Sequence, residues 1–341
     1  MSRLEIKQIK GRKYVYIRDK FKVNGRTEDV TLYVGPLGKI TYEKFIHKVG
    51  ELFTIRLTSF TDYWLSKYVK YLDREKAFDI ELLHLSYRLF RSYYPDEVKS
   101  YERYVFVRYV QGTTSIEGNT INQRQAEQLL EHGLTPAGKS LREVYEIANF
   151  KNLDDYLKNY RGDITESSIK KIHEILMQNV LESPGEYRRV QVLIEKAEHE
   201  PPPALDVPHL MKNLIKWYDT NKGKLHPFEL AVLLHTRFVT IHPFADGNGR
   251  VARALMNFIL NRNSYPTLYI GMEDREAYLD AVAEGNKEDY NPIIDFMYRL
   301  YTEQHRLIRD EIHGKIKRGD IEEFPESQEL IEQFNGLRTK K

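Results

Sequence analysis

Thirteen residues near position 250 constrain this chain more than any other stretch. An apolar run, Phe228 to Val239, leads into Ile241-His242-Pro243-Phe244-Ala245-Asp246-Gly247-Asn248-Gly249-Arg250-Val251-Ala252-Arg253. A second apolar face follows, with Val251, Ala254, Leu255, Phe258 and Ile259 at the i, i+3, i+4, i+7, i+8 spacing of one buried helix side. The pattern predicts two core helices joined by a glycine-framed loop. Backbone N–H groups at the second helix start, glycines that admit a ligand, and two arginines three residues apart compose a polyanion site. The histidine and aspartate at its edge add chemistry on that anion.

At 341 residues the chain exceeds a typical single domain, which predicts one large core plus a smaller unit. The 52 basic and 50 acidic residues leave a net charge of +2, no global reason to expect nucleic acid or a membrane. The absence of cysteine excludes disulfides, thiolate catalysis and cysteine-ligated zinc, and fits a reducing, cytoplasmic setting. Met1-Ser2-Arg3-Leu4-Glu5 has no apolar signal core, and no apolar run approaches the roughly 18 residues of a membrane span.

Along the chain, residues 3–35 read as β structure. Lys13 to Ile17 and Thr31 to Val34 are β-branched and aromatic, and Asn24-Gly25 between them signals a tight hairpin. Thr41 to about Tyr160 reads as helical, broken at Tyr93 to Asp96 and Leu134 to Gly138. Further helices are expected over Thr165 to Leu181, Val207 to Lys222, Glu273 to Ala283 and Pro292 to Ile312. Glu284-Gly285-Asn286 reads as a break, Tyr187 to Ile194 as strand-like, Pro201-Pro202-Pro203 as a fixed extended loop, and Lys315 to Lys341 as a loosely packed charged tail. The expected division is residues 1–40 (β appendage), 41–110 (helical), 111–300 (core) and 301–341 (final helix and tail).

Within the central stretch, Gly247, Asn248 and Gly249 are expected to offer backbone N–H groups, and Asn248 its amide, to a phosphate. Asp246 is a hard oxygen ligand suited to Mg²⁺, and Arg250 and Arg253 can clamp two phosphates. His242 can accept a proton from an attacking hydroxyl. Taken singly, a histidine before proline or a Gly-Asn-Gly turn has a plain structural explanation. Packed between two apolar helices they specify transfer of a phosphate-containing group from a nucleotide to a hydroxyl.

His242 to Arg253 resembles the signature of the Fic family, His-x-Phe-x-(Asp/Glu)-Gly-Asn-Gly-Arg-x-x-Arg, at every specified position. The resemblance spans roughly residues 100–300. It implies a mainly α fold, a Fic-type helical bundle with a β-hairpin flap, here carrying a small N-terminal β appendage. It also implies an enzyme that transfers AMP from Mg-ATP to a Ser, Thr or Tyr hydroxyl of a protein, with ATP and Mg²⁺ as cofactors. By that similarity His242 is the general base, Asp246 the Mg²⁺ ligand, and Gly247, Asn248 and Gly249 hold the α- and β-phosphates. Arg250 meets the β-phosphate and Arg253 the γ-phosphate, while Tyr278 and Asn286 contact adenine and ribose.

Thr113-Thr114-Ser115-Ile116-Glu117-Gly118-Asn119 is similar to the family's inhibitory motif, with Thr113, Glu117 and Gly118 at the matching positions. Lying before the core motif, it implies an inhibitor within the same chain, its carboxylate occupying Arg253. Val190, Gln191, Val192, Leu193 and Ile194 match the flap that aligns a target segment by strand addition. The expected partners are ATP and a hydroxyl-bearing protein substrate, this chain included. Neither membrane nor nucleic acid is expected, and a homodimer is left open. Two alternatives accompany this reading: a de-AMPylating or bifunctional enzyme that uses Glu117, and a nucleotide-sensing regulator binding a partner or nucleic acid through residues 1–40.

Overall fold

The computed structural model describes residues 2–23, 26–67, 70–192 and 200–339. Three strands come first: β1 (Arg3–Ile9), β2 (Arg12–Val23) and β3 (Arg26–Pro36). The helices are α1 (Tyr42–Lys67), α2 (Arg74–Tyr93), α3 (Pro95–Ser115), α4 (Gln123–His132), α5 (Leu141–Asn159), α6 (Glu166–Leu176), α7 (Val207–Asn221), α8 (Pro227–Ile241), α9 (Asn248–Arg262), α10 (Arg275–Asn286), α11 (Asn291–Gln304), α12 (Arg306–Arg318) and α13 (Pro325–Thr339). The fold is mainly α with a small N-terminal antiparallel sheet.

The chain forms two compact units: residues 1–67, 73–98 and 305–341, and residues 68–72 with 99–304. This grouping differs from the four-part division expected from sequence. In the first unit the strands follow chain order, β1-β2-β3, with Tyr16 opposite Glu5 and Tyr33. Period-2 alternation turns Val15, Ile17 and Val34 inward. They meet Phe45, Val49 and Phe53 of α1, Ile312 and Ile316 of α12, and Leu330 and Phe334 of α13. Phe45 and Phe334 stack at 4.2 Å. The expectation of a loosely packed tail is thereby corrected: its sparse apolar residues Ile321, Phe324, Leu330 and Phe334 are all buried. The Asn24-Gly25 turn lies outside the described residues.

The second unit is built around α8, whose every residue but Arg237, Val239 and Thr240 is buried. A helix apolar nearly all round must be enclosed. It packs on α7 and pairs with α9 across the central loop, while α6 covers α9. Buried Glu229 near the start of α8 accepts the backbone N–H groups of Lys70, Tyr71 and Leu72 at 3.2, 2.7 and 2.8 Å.

Four further expectations change. The helix expected over Thr165 to Leu181 starts from an N-capping Thr165 but stops at Leu176, where the Asn149 amide donates to the carbonyls of Leu176 and Gln178. The stretch Pro292 to Ile312 is two helices parted at His305; the Gln304 side chain accepts the Tyr269 N–H and holds the end of α11. Gly285 does not break α10, which runs on to Asn286. A Cβ there would stand 2.5 Å from Thr236 Cγ2, so the glycine permits close approach of α10 to α8. Finally, residues 187–192 form no strand, and Leu193 and Ile194 lie outside the described residues. The Arg188 N–H donates to Pro243 O at 2.9 Å, Arg188 Nε to His242 O at 2.8 Å, and the Gln191 amide to Pro201 O at 2.8 Å. The polar groups around Arg188 serve the loop after α8 instead of a ladder.

Candidate active site

The α8–α9 loop is held from inside by its own residues. Phe244 is fully buried and lies flat on His173 of α6, centroids 3.7 Å apart and planes 5° off parallel. The Asn248 amide donates to Phe244 O at 2.8 Å, and its oxygen accepts the Phe244 N–H at 2.9 Å. This corrects the expectation that the Asn248 side chain faces a phosphate: its amide closes the loop on itself. Gly247 adopts φ +81°, a left-handed turn that suits glycine, and a Cβ there would meet Met177 Sδ at 2.6 Å. α9 then begins with no side-chain N-cap, so its first N–H groups remain an anion cradle in form.

His242 ends α8 in a left-handed conformation, φ 51°, with its N–H on Phe238 O and its side chain half-buried. Asp246 is gripped on both carboxylate oxygens. Oδ1 accepts from Arg250 Nη2 at 2.9 Å and from Gly247 N at 2.6 Å; Oδ2 accepts from Arg142 Nη2 at 2.8 Å. Burial pushes this carboxyl up, but Arg250, the Gly247 N–H and Arg142 outweigh it and hold it below the usual range. Buried Glu146 of α5 ion-pairs Arg250 at 3.1 Å and accepts from Arg142 Nε at 3.2 Å.

Arg253 is buried, 2% exposed. Its Nε donates to Thr113 Oγ1 at 2.6 Å, and Nη2 donates to Thr113 O at 2.9 Å and to Glu117 Oε1 at 2.7 Å. Nη1 reaches the Tyr278 hydroxyl at 3.4 Å, which also pairs with His235 Nε2 at 2.8 Å. Burial and neighbouring Arg253 push His235 down to about 3 and leave it neutral. Tyr278 is thus buried inside the arginine's network, and Asn286 accepts from Thr240 Oγ1 at 2.8 Å.

Glu117 sits where α3 ends. The N–H groups of Glu117 and Asn119 return to Thr114 O, that of Gly118 to Ser115 O, and Gly118 takes φ +98°. The turn lifts the carboxylate over α9: a Cβ on Gly249 would lie 2.3 Å from Glu117 Oε1. The structure therefore brings together Thr113, Glu117, Gly249 and Arg253, and separately Asp246 and Arg250. Sequence reasoning missed Asn119, Arg142, Glu146 and His173. Asn119 is 7% exposed, and its amide donates to Glu143 O at 3.0 Å and to Glu146 Oε2 at 2.9 Å. It joins the Glu117 turn to the carboxylate that holds Arg250. Arg142 and Glu146 stand i, i+4 on α5, which in sequence reads as a solvated pair.

Residues 163–260, which contain α6, α8 and the whole loop, match the Fic/DOC family. Over this stretch the chain is similar to a Fic/DOC domain. The Protein adenylyltransferase Fic of Aedes aegypti is 34% identical over 207 residues, 59% of this chain and 41% of the mosquito protein. The protein of the same name from Nematostella vectensis is 33% identical over 204 residues, 57% of this chain and 46% of that one. This chain therefore aligns with less than half the length of either. A Fic domain containing signaling protein from Bacteroides thetaiotaomicron superposes with a TM-score of 0.62 at 28% identity, covering 69% of this chain and 97% of that one. A Fic family protein from Desulfovibrio desulfuricans gives 0.58 at 26% identity, covering 69% and 75%. The matched stretch contains the loop and its arginines; the three-stranded sheet lies outside it.

Proposed function

We propose that this chain is an auto-inhibited protein adenylyltransferase. It moves AMP from Mg-ATP onto a Ser, Thr or Tyr hydroxyl of a protein, itself included, in a cytoplasmic setting. The acceptor oxygen attacks the α-phosphorus, the bond to the β-phosphate oxygen breaks, pyrophosphate departs, and His242 takes the hydroxyl proton. Asn248 and Gly249 contribute backbone N–H groups to the phosphates, Gly247 contributes the turn that holds Asp246 beside them, and Arg250 and Arg253 contribute charge. Among the described residues no group of three or more His, Asp or Glu could hold a metal alone. Asp246 is a single carboxylate, 34% exposed, which fits a Mg²⁺ whose other ligands are phosphate oxygens and water. Bound there, the ion supplies charge neutralisation.

The observation that carries the reading is Glu117 Oε1 on Arg253 at 2.7 Å, directly above Gly249. A carboxylate standing at the first turn of α9 excludes a phosphate from the same donors. A preference of about 2–3 kcal/mol for this pair suppresses turnover roughly 30- to 150-fold. Glu117→Gly incubated with α-labelled ATP and Mg²⁺ is expected to incorporate label faster than the parent by that factor. His242→Ala in the same background, or chelation of the metal, is expected to stop it. Equal incorporation by Glu117→Gly and parent refutes the inhibitory role; no incorporation by either refutes the transferase.

A further inference from the structure

The whole-chain charge of +2 conceals a segregation. Residues 2–36 hold nine Lys and Arg against four Asp and Glu, net +5, leaving −3 for residues 37–341. The register sorts these charges by face. With Val15, Ile17 and Val34 turned inward, the opposite face carries Arg3, Lys7, Arg12, Arg18, Lys20 and Lys22 against only Glu5 and Asp29. Both acids lie beside Arg18, at 3.9 and 2.8 Å, and Lys20 shares Asp29 at 3.3 Å. Among the described residues Arg3, Lys7, Arg12 and Lys22 make no ion pair, and all four are exposed. Three tyrosines, Tyr14, Tyr16 and Tyr33, occupy the middle of this face.

We propose that the outward face of the β1-β2-β3 sheet docks on duplex DNA. Charge selects a polyanion, and ring geometry selects the duplex over a single strand. Base stacking needs an uncovered aromatic plane. Here Tyr16 and Tyr33 pack tilted at 5.4 Å, Tyr14 and Tyr33 at 6.2 Å, and Lys7 Nζ sits over the Tyr16 ring at 4.9 Å; that leaves one ring, Tyr33 at 46% exposure, where a run of stacked bases needs several. The rings stiffen the sheet while cations and Thr27 and Thr31 project from it. Three strands spaced about 4.8 Å apart span about 10 Å of backbone, less than the roughly 12 Å width of the major groove of B-form DNA. The deep, narrow major groove of duplex RNA does not admit them.

Fluorescence anisotropy of the full chain with a labelled 24-base-pair DNA of mixed sequence tests this. About four phosphates neutralised by Arg3, Lys7, Arg12 and Lys22 predict a log–log salt slope near −3.6, hence about 150-fold weaker binding between 50 and 200 mM KCl. Arg12→Glu with Lys22→Glu is expected to weaken binding more than tenfold and to lower the slope by about two. Lys212→Glu with Lys216→Glu, exposed on α7 of the other unit, is expected to change nothing. If the first pair melts early, Arg12→Gln with Lys22→Gln decides the matter. No saturable binding at 50 mM KCl, equal losses in both double variants, or tighter binding to oligo(dT) or phosphatidylserine vesicles overturns the proposal.

Discussion

Asn119 offers a way to loosen the Glu117 turn without touching a group that meets the nucleotide. Its side chain makes three bonds: to Glu143 O at 3.0 Å, to the Glu146 carboxylate at 2.9 Å, and from the Ile121 N–H at 2.9 Å. The bond to the ionised carboxylate is worth about 1.5–3 kcal/mol and each neutral one about 1 kcal/mol. Alanine leaves room for water at a site next to exposed Gly118 and Thr120, so about half that sum survives as a net loss. About 2 kcal/mol drawn from the closed arrangement alone raises the open population roughly 30-fold. Asn119→Ala is therefore expected to speed auto-AMPylation about 30-fold, capped by the rate of Glu117→Gly. The double variant is expected to run no faster than Glu117→Gly by itself. Incorporation of α-labelled ATP followed by intact mass gives both rates. An Asn119→Ala protein at the parental rate, beside an accelerated Glu117→Gly, refutes the idea that this amide positions the inhibitory carboxylate.

Two further outcomes follow from buried contacts. His173 Nδ1 accepts the Gly185 N–H at 2.7 Å and Nε2 pairs with Asp246 O at 3.0 Å, so its neutral tautomer is fixed and a second proton would face a donor. Burial lowers its pKa to about 4, below the ordinary 6.5. The unfolded chain then holds more protons between these values, and stability falls as pH drops through 6.5 towards 4, by about 2 kcal/mol between pH 6.5 and 5. Urea titrations across that range are expected to show the slope, reduced by about one proton in His173→Asn; an unchanged slope refutes the assignment. Gly285→Ala in the last turn of α10 would ordinarily stabilise, but the Cβ contact with Thr236 predicts a loss of about 1–3 kcal/mol. Thr236→Ser is expected to restore much of it in thermal melts.

The loop and its helices were legible because their signals are local. The α8 and α9 periodicities, the Gly247 turn and the Glu117–Gly118 helix end each occupy a few consecutive residues. What stayed hidden depends on distant approach. Arg142 and Asp246 are 104 residues apart, and Asn119 and Glu146 are 27 apart. An i, i+4 pair on α5 carries no mark of what lies across from it. Gly285 read as a stop because packing against Thr236 cannot be seen in a linear string. The last helices read as a charged tail because Ile321, Phe324, Leu330 and Phe334 are few among many ions. Yet these four are buried with the sheet.

That last arrangement bears on how the molecule is made. Residues 99–304 are contiguous apart from the short piece 68–72, so the unit bearing the α8–α9 loop can complete its core while residues 305–341 are still being added. The sheet unit cannot. Val15 and Phe45 emerge early but must wait some 300 residues for Phe324 and Phe334. At synthesis rates of about 5–20 residues per second that is a delay of at least about 15 seconds, during which the nascent strands are open to other edges or chaperones.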